Sequence, residues 1–193
     1  MSVEAALPLL QIFIVSTRKG RKGEAVARWF ETRAREHGGF EIELVDLAAV
    51  NLPLFDEPEH PRFQRYQHEH TKRWSEQIAR ADAFVFVTPE YNYSAPPSLI
   101  NALDYLLHEW AYKPVGFVSY GGVSGGTRSV QMSKLLVTAV KMMPIPEAVT
   151  LPFFMRMFAA GGTFAPDETQ HKAAGAMLDE LKRWTGALQT LRR

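Results

Sequence analysis

The stretch from Ala83 to Leu107 limits what this chain can fold into more than any other. It opens with six residues, Ala83 to Thr88, that are almost all apolar, aromatic or β-branched, a pattern typical of a strand buried on both faces of a parallel sheet. It closes with apolar residues at helical spacing from Leu99 to Leu107. Between them lies a loop with three prolines, which stiffen it. Because open α/β sheets bind ligands beyond the carboxyl ends of their strands, this loop is a candidate binding site.

The rest of the chain alternates between strand and helix patterns. Further strands are predicted at Leu9 to Val15, Phe40 to Asp46 (an edge strand), Pro114 to Ser119 and Ala148 to Leu151. Helices are predicted at Glu24 to Glu36, Phe63 to Arg80, Ser129 to Met142 and Asp167 to Leu191. A loop is predicted at Asn51 to Pro61, and an irregular apolar segment at Phe153 to Phe164.

This alternation predicts a parallel sheet with right-handed crossovers, in a single domain spanning 1–193. The two most distinctive loops follow the first and third strands. In a five-stranded sheet of order 2-1-3-4-5 these strands are neighbours, and the ligand site lies between them. We therefore expect an α/β fold, a flavodoxin-like three-layer sandwich with a five-stranded parallel sheet in that order.

Composition excludes several classes of function. The chain has no cysteine, which rules out thiol catalysis and cysteine-ligated clusters, so any redox chemistry requires a bound cofactor. The net charge is only +1 and the basic residues are mixed with acidic ones, which argues against nucleic-acid binding. No apolar run approaches the roughly 20 residues that span a bilayer. Met1 to Pro8 has no signal-peptide pattern, so we expect a cytoplasmic protein without membrane insertion.

The loop after the first strand, Ser16 to Glu24, is predicted to bind a phosphate group. It leads into a helix, whose first N–H groups and dipole attract anions. Ser16 and Thr17 offer hydroxyl groups, Arg18 offers a charged donor, and Gly23 allows close approach of the backbone. The loop matches neither the GxGxxG nor the GxxxxGK[ST] pattern, so a Rossmann or P-loop site is not expected. The alternative is an ordinary basic turn.

Three loops carry a resemblance to a known family. The run Pro89-Glu90-Tyr91-Asn92, with Ser94, Pro96 and Asn101-Ala102-Leu103-Asp104 after it, resembles the signature of the NADPH-dependent FMN reductase family. These flavodoxin-like flavoproteins include quinone, azo-dye and metal-ion reductases. The loop from Ser16 is similar to the family's phosphate loop, and Gly121 to Gly126 to its glycine-rich run. One departure is Ile100, where family members commonly have lysine.

The resemblance implies an FMN-dependent NAD(P)H oxidoreductase, with FMN as bound cofactor and NADPH or NADH as co-substrate. It implies that the flavin N5 atom carries the hydride, so no catalytic side chain and no metal are expected. The electrons would pass to a small-molecule acceptor: a quinone, an azo compound, a metal oxyanion or free flavin. The alternative is a flavodoxin-like electron carrier without NAD(P)H reductase activity, against which the near-neutral charge argues.

The cofactor-binding residues implied by the resemblance come from the same three loops. Backbone groups of Glu90 to Tyr93 would stabilise charge on the reduced flavin, and Tyr91 or Tyr93 would wall its ring or the nicotinamide pocket. The full set is Ser16, Thr17, Arg18, Gly23, Glu24, Ala25, Pro89, Glu90, Tyr91, Asn92, Tyr93, Ser119, Tyr120, Gly121, Gly122 and Gly125. Whether Arg21 and Lys22 contact the nicotinamide cofactor stays open.

Two further features bear on partners and metals. Members of the resembled family are typically dimers or tetramers, which implies a homodimer or homotetramer whose flavin cleft is completed by the neighbouring subunit. His68 and His70 lie two apart on a predicted helix, so they are expected to face different ways and not to bind a metal. A third hypothesis, an interaction protein that has lost the flavin, is disfavoured by the intact loops.

Overall fold

The computed structural model describes residues 6–192, which form a five-stranded parallel sheet flanked by helices. The strand order is β2-β1-β3-β4-β5, and every neighbouring pair is parallel. The strands are β1 Leu9–Ile14, β2 Glu41–Asp46, β3 Ala83–Pro89, β4 Pro114–Tyr120 and β5 Met143–Leu151. The predicted α/β class and the predicted order 2-1-3-4-5 are therefore confirmed.

The helices lie in two layers, one on each face of the sheet. One core layer takes side chains from α1 Gly23–His37 and α6 Glu168–Leu188. The opposite layer takes them from α2 Leu47–Val50, α3 Glu69–Ala79, α4 Pro97–Asp104 and α5 Thr127–Ala139. This is the three-layer sandwich predicted from the sequence. None of the helices described within 6–192 is long and apolar enough to cross a membrane.

The central strand β3 sends alternate side chains into the two layers. Val85 and Val87 pack under α1 and α6, whereas Phe84 and Phe86 face the other layer. There they join an aromatic cluster with Phe13 of β1, whose ring centroid lies 5.1 Å from that of Phe86. All seven residues of β3 are buried, as the apolar run predicts. The loops that follow β1 and β3 are thus anchored on strands in the buried interior of the sheet.

Helix ends follow local signals in the sequence. Gly38 ends α1 in the left-handed conformation, with φ of 69°, and its N–H donates to the Ala34 carbonyl. Asp167 begins α6 with a capping box, because its carboxylate accepts from the first turn and Gln170 bonds back to the Asp167 N–H.

The predicted helix from Phe63 to Arg80 is wrong at its start, since α3 begins only at Glu69. Gln64 adopts a left-handed conformation, with φ of 52°, which interrupts any helix there. The Glu57 carboxylate then accepts hydrogen bonds from the N–H groups of Gln67 (2.8 Å) and His68 (3.0 Å). These bonds hold the chain outside the helix until His68, its N-cap residue.

Two other elements differ from the sequence expectation. Strand β5 runs from Met143, not from Ala148, although it contains Pro144 and Pro146. It lies at the edge of the sheet, where a missing N–H can face away from the neighbouring strand. The short helix α2 was not expected, and Asp46 caps it by accepting from the Ala48 N–H at 3.0 Å.

Candidate functional site

The three loops singled out in the sequence meet at one cleft of about 590 Å³ at the carboxyl ends of the strands. This is where the switch in strand order between β1 and β3 leaves a crevice. The predicted residues that line the cleft are Ser16, Arg18, Pro89, Glu90, Tyr91, Tyr120, Gly121 and Gly122. Residues that were far apart in the sequence therefore share one concave surface.

The first wall of the cleft is the loop between β1 and α1. Ser16 is 1% exposed, and its hydroxyl group has no hydrogen-bond partner within residues 6–192. Arg21 donates to the Ser16 carbonyl at 3.0 Å and forms an ion pair with Asp46, so its charge is already used. Arg18 has no acidic partner among the described residues, and its guanidinium lies 6.0 Å from the centroid of the Tyr91 ring.

Gly23 begins α1 at a point where no side chain fits. A Cβ atom there would lie 2.3 Å from the Tyr120 hydroxyl oxygen and 2.4 Å from the Ser16 hydroxyl oxygen. Burial raises the pKa of Tyr120, so its phenol stays protonated and can donate a hydrogen bond. Two hydroxyl groups and the N-terminus of α1 thus converge, an arrangement suited to a phosphate.

The second wall is the loop between β3 and α4. Tyr91 and Ser94 form an antiparallel bridge, with N–H to O=C distances of 3.1 and 2.9 Å. Asn92 and Tyr93 between them both have positive φ, 50° and 66°, as in a two-residue turn. This turn directs Tyr91 into the cleft lining and leaves Asn92 and Tyr93 exposed at its tip.

Glu90 joins this loop to the loop between β4 and α5. Its carboxylate accepts hydrogen bonds from the Ser124 hydroxyl (2.9 Å), the Arg128 backbone N–H (3.2 Å) and Arg128 Nε (2.6 Å). The Arg128 guanidinium also lies 3.9 Å from the centroid of the Tyr93 ring. Partial burial alone would raise the pKa of Glu90, but the bonds from Arg128 and Ser124 outweigh it and lower the pKa. We call Glu90, Ser124 and Arg128 the carboxylate clamp.

The remaining predicted residues lie outside the cleft lining, although Gly23 lies directly behind it. Thr17 lines a neighbouring cavity with Asn51 and Ser98. The Glu24 carboxylate pairs with Arg28 at 2.9 Å on the outside of α1. The others that do not line the cleft are Ala25, Asn92, Tyr93, Ser119 and Gly125.

Sequence reasoning missed the third wall, which follows β5. The segment Phe153–Arg156 lines the cleft, although the sequence indicated only an irregular apolar segment. Phe153 has a left-handed φ of 48° and donates its N–H to the Gly122 carbonyl at 2.8 Å. The Phe154 ring packs on Tyr120, with centroids 4.8 Å apart. The available signal was position: this segment follows the carboxyl end of a strand next to β4.

The histidines depart from expectation in one respect. The rings of His68 and His70 are stacked, with centroids 5.1 Å apart, whereas two positions of a helix would face different ways. The reason is that His68 has extended backbone as the N-cap and lies outside the helix. Within residues 6–192 no group of three or more histidine, cysteine, aspartate or glutamate side chains is arranged to hold a metal ion.

The fold and the cleft define a flavodoxin-like protein with a cleft at the carboxyl ends of its strands, lined by basic and aromatic side chains. Residues 9–156 match the model of the NADPH-dependent FMN reductase family, and the chain belongs to that family. The resemblance carried by the loops is therefore confirmed. So are its consequences at the level of the family: an oxidoreductase with FMN as cofactor and NAD(P)H as co-substrate.

Individual relatives agree with this assignment. The chain is 40% identical over 148 residues to an NAD(P)H-dependent FMN reductase of Schizosaccharomyces pombe, covering 75% of this chain and 74% of that protein. It is 32% identical over 145 residues to a quinone reductase of Pseudomonas putida, covering 71% and 74%. The structure of a flavoenzyme NAD(P)H:(acceptor) oxidoreductase from Paracoccus denitrificans superposes with a TM-score of 0.74 at 22% identity, covering 94% and 98%. This last likeness concerns the fold alone.

Proposed function

We propose that the cleft reduces a small planar acceptor, with a quinone as the first candidate, at the expense of NAD(P)H. The observation that carries this proposal is the third wall, where Phe153, Phe154 and Met155 line the same cleft as Tyr91 and add apolar surface to it. Apolar and aromatic walls suit flat organic molecules better than small hydrated ions. A quinone reductase and an NADPH azoreductase among the relatives support the same choice.

The residues present fit FMN. Three side chains are available to bind its phosphate: the Ser16 hydroxyl, which has no partner within residues 6–192, the Tyr120 hydroxyl, and Arg18, which has no acidic partner there. The first backbone N–H groups of α1, at Gly23, Glu24 and Ala25, can donate to the same phosphate. Donors for the ring edge would come from the backbone of Glu90 to Tyr93 and of Gly121 and Gly122. Thr17, Ser119 and Gly125 would support these loops from outside the lining. When bound, FMN supplies the redox chemistry by accepting a hydride and passing electrons on.

The protein's own part is to bind, orient and exclude water. NAD(P)H and the acceptor would use the same face of the cleft in turn, between Tyr91 and the segment Phe153–Arg156. No acid–base side chain is required, and Tyr120 stays a neutral donor because burial raises its pKa. The carboxylate clamp holds the loop between β3 and α4 against the loop between β4 and α5. In this proposal residues 1–193 act as one FMN-binding domain, in the cytoplasm where NAD(P)H is available.

The deciding experiment is anaerobic addition of NADPH to FMN-loaded protein while the visible flavin absorbance is recorded. Bleaching at stoichiometric NADPH, reversed by added benzoquinone, supports the proposal. If an azo dye, chromate or free FMN restores the absorbance but benzoquinone does not, the protein is a reductase with a different class of acceptor. Retention of FMN without bleaching would favour the electron carrier, and failure to retain FMN would refute the assignment of the loops.

We further propose that the protein is a homodimer or homotetramer, with a neighbouring subunit completing the cleft. The support is a set of large apolar side chains exposed on α5 and on the loop before α3: Met132 (44%), Leu135 (76%) and Leu54 (83%). Light scattering after size exclusion measures the mass directly. We expect Leu135→Asp to shift the protein toward monomer, and a monomeric wild type would refute the proposal.

A further inference from the structure

The cations around the cleft fall into two groups. Four basic side chains line it: Arg18, Arg21, Lys22 and Arg156. Arg21 is paired with Asp46, but no acidic side chain within residues 6–192 forms an ion pair with the other three. Arg18 and Lys22 belong to the loop that faces the proposed FMN phosphate. Arg156 stands apart, on the third wall after β5, and the FMN phosphate does not account for it.

Arg156 is held in a defined position at the mouth of the cleft. Its guanidinium lies 4.7 Å from the centroid of the Phe153 ring, and its backbone N–H donates to the Phe153 carbonyl at 2.8 Å. Phe153 is itself fixed to the glycine-rich loop through Gly122. Phe153 is 44% exposed, although it lines the cleft. An arginine stacked on an aromatic ring keeps its N–H edge free, and that edge matches the oxygens of a phosphate.

The two co-substrates of the proposed reaction differ by one group. NADPH carries a phosphate on the adenosine ribose that NADH lacks, and both carry an adenine ring that can stack on an aromatic side chain. A cation without an acidic partner beside an exposed aromatic ring matches both features. Arg156 lies on the segment after β5, whereas Arg18 and Lys22 lie on the loop between β1 and α1, so Arg156 is a separate candidate for a second phosphate.

We propose that Arg156 binds the 2′-phosphate of NADPH and gives the protein its preference for NADPH over NADH, with Phe153 packed against the adenine. This inference rests on the proposed reductase function. It assigns a specificity role to a segment in which the sequence pattern indicated nothing but irregular apolar chain. Arg21 has no such role, because Asp46 and the Ser16 carbonyl already engage it.

The first test measures binding without turnover. The FMN-loaded protein is titrated calorimetrically with 2′,5′-ADP and with 5′-AMP, which differ by the phosphate in question. We expect Arg156→Ala to lower the affinity for 2′,5′-ADP by about 10-fold to 100-fold, because a charge-assisted hydrogen bond is lost. The affinity for 5′-AMP should fall by less than about 3-fold. Arg156→Lys should retain part of the difference. Arg183→Ala on α6, where Arg183 pairs with Glu180, is the control for loss of a distant charge.

The second test uses stopped-flow reduction of the flavin by NADPH and by NADH. Arg156→Ala should raise the KM for NADPH by a similar factor, with the KM for NADH, the limiting rate and the FMN content unchanged. Three results would each overturn the role of Arg156: an equal rise in KM for NADPH and NADH, no rise in KM for either, or a change only in the KM for the acceptor. If neither nucleotide bleaches the flavin, the reductase function fails, and the 2′,5′-ADP titration still decides whether Arg156 binds the phosphate.

Discussion

The two ends of the sheet differ in how their charged side chains are bonded. At the carboxyl ends, the Ser16 hydroxyl has no partner, and Arg18 and Arg156 have no acidic partner among residues 6–192. At the amino ends, Lys113 and Glu109 are 5% and 6% exposed and are hydrogen-bonded to other parts of the protein. The cleft therefore has side chains left available, whereas the two buried charged side chains at the amino ends are bonded within the protein, although Glu109 Oε2 has no hydrogen-bond partner within residues 6–192.

At the amino end, Lys113 and Glu109 are both bonded to other parts of the protein. Lys113 Nζ donates to the carbonyls of Ile78 (2.8 Å) and Ala79 (3.1 Å), at the negative end of the α3 dipole. One oxygen of the Glu109 carboxylate accepts from the Tyr66 hydroxyl (2.9 Å) and the Ser75 hydroxyl (2.7 Å). Substitutions at the amino end should therefore change the free energy of unfolding and leave FMN affinity unchanged. Substitutions at the cleft should change FMN affinity more than the free energy of unfolding.

The largest effect is expected at Gly23. Gly23→Val introduces a branched side chain where even a Cβ approaches the Tyr120 and Ser16 oxygens to 2.3 and 2.4 Å. FMN affinity should fall more than about 100-fold, because the hydroxyl groups and the helix N-terminus all move. Quenching of FMN fluorescence on titration of the apoprotein gives the affinity. Gly175→Ala on α6, with open space around it, is the matched control; an unchanged affinity in Gly23→Val would contradict the phosphate site.

Glu109→Ala is the counterpart at the amino end. Removing the carboxylate leaves the half-buried hydroxyls of Tyr66 and Ser75 without their acceptor, so the free energy of unfolding should fall by about 1–2 kcal/mol. Urea titration followed by circular dichroism measures this loss. FMN affinity should stay within about 2-fold of wild type, since additivity holds for distant sites. A large loss of FMN affinity in Glu109→Ala would show that the amino end also contributes to FMN binding.

Arg18→Ala should weaken FMN binding by about 10-fold to 100-fold, because a charged hydrogen bond to phosphate is lost. Stability should hardly change, since Arg18 is exposed and has no acidic partner among the described residues. The same fluorescence titration applies, with Arg35→Ala at the other end of α1 as control. Riboflavin lacks the phosphate, so an equal loss of affinity for riboflavin would show that Arg18 does not bind the phosphate.

The carboxylate clamp should show a smaller effect shared between affinity and stability. Glu90→Gln and Arg128→Ala should each lower FMN affinity by about 3-fold to 10-fold through loosening of the two loops. Their effects should not add in the double variant, because each breaks the same bond. Fully additive losses in this double-mutant cycle would mean that the pair does not act as a unit.

The smallest effect concerns pH and the amino end. Burial, aided by repulsion from Arg192, lowers the pKa of Lys113 to about 8. The unfolded chain binds the proton up to a pKa near 10.4, so between these values unfolding takes up a proton and stability rises with pH. The slope contributed by Lys113 stays below about 1.4 kcal/mol per pH unit. Lys113→Met should lack this rise in urea titrations from pH 8 to 10, and an identical slope in both proteins would contradict the shifted pKa.

Sequence reasoning found the parts of the molecule that follow from local pattern. The buried run of β3 and the distinctive loops after β1 and β3 were enough to predict the strand order, because only neighbouring central strands bring those loops together. Helix α6 could also be predicted, since Asp167 precedes a long stretch with apolar residues at helical spacing.

Contacts between distant positions could not be read in this way. Glu90 and Arg128 lie 38 positions apart, and nothing local marks them as partners. The start of α3 depends on Glu57, 10 and 11 residues away from the N–H groups that its carboxylate accepts. The third wall escaped prediction because Phe153 has left-handed backbone and its neighbours follow no helical or strand period.

The division between paired and unpaired cations has a consequence for how quickly nucleotides reach the protein. The net charge of the chain is only +1, yet Arg18, Lys22 and Arg156 gather at one opening without acidic partners in the described chain. A local positive field of this kind steers polyanions toward the opening, over a range set by the Debye length of about 8 Å at 0.15 M salt. The rate of NADPH capture is then expected to fall as ionic strength rises, whereas the rates of steps after binding should depend on it much less.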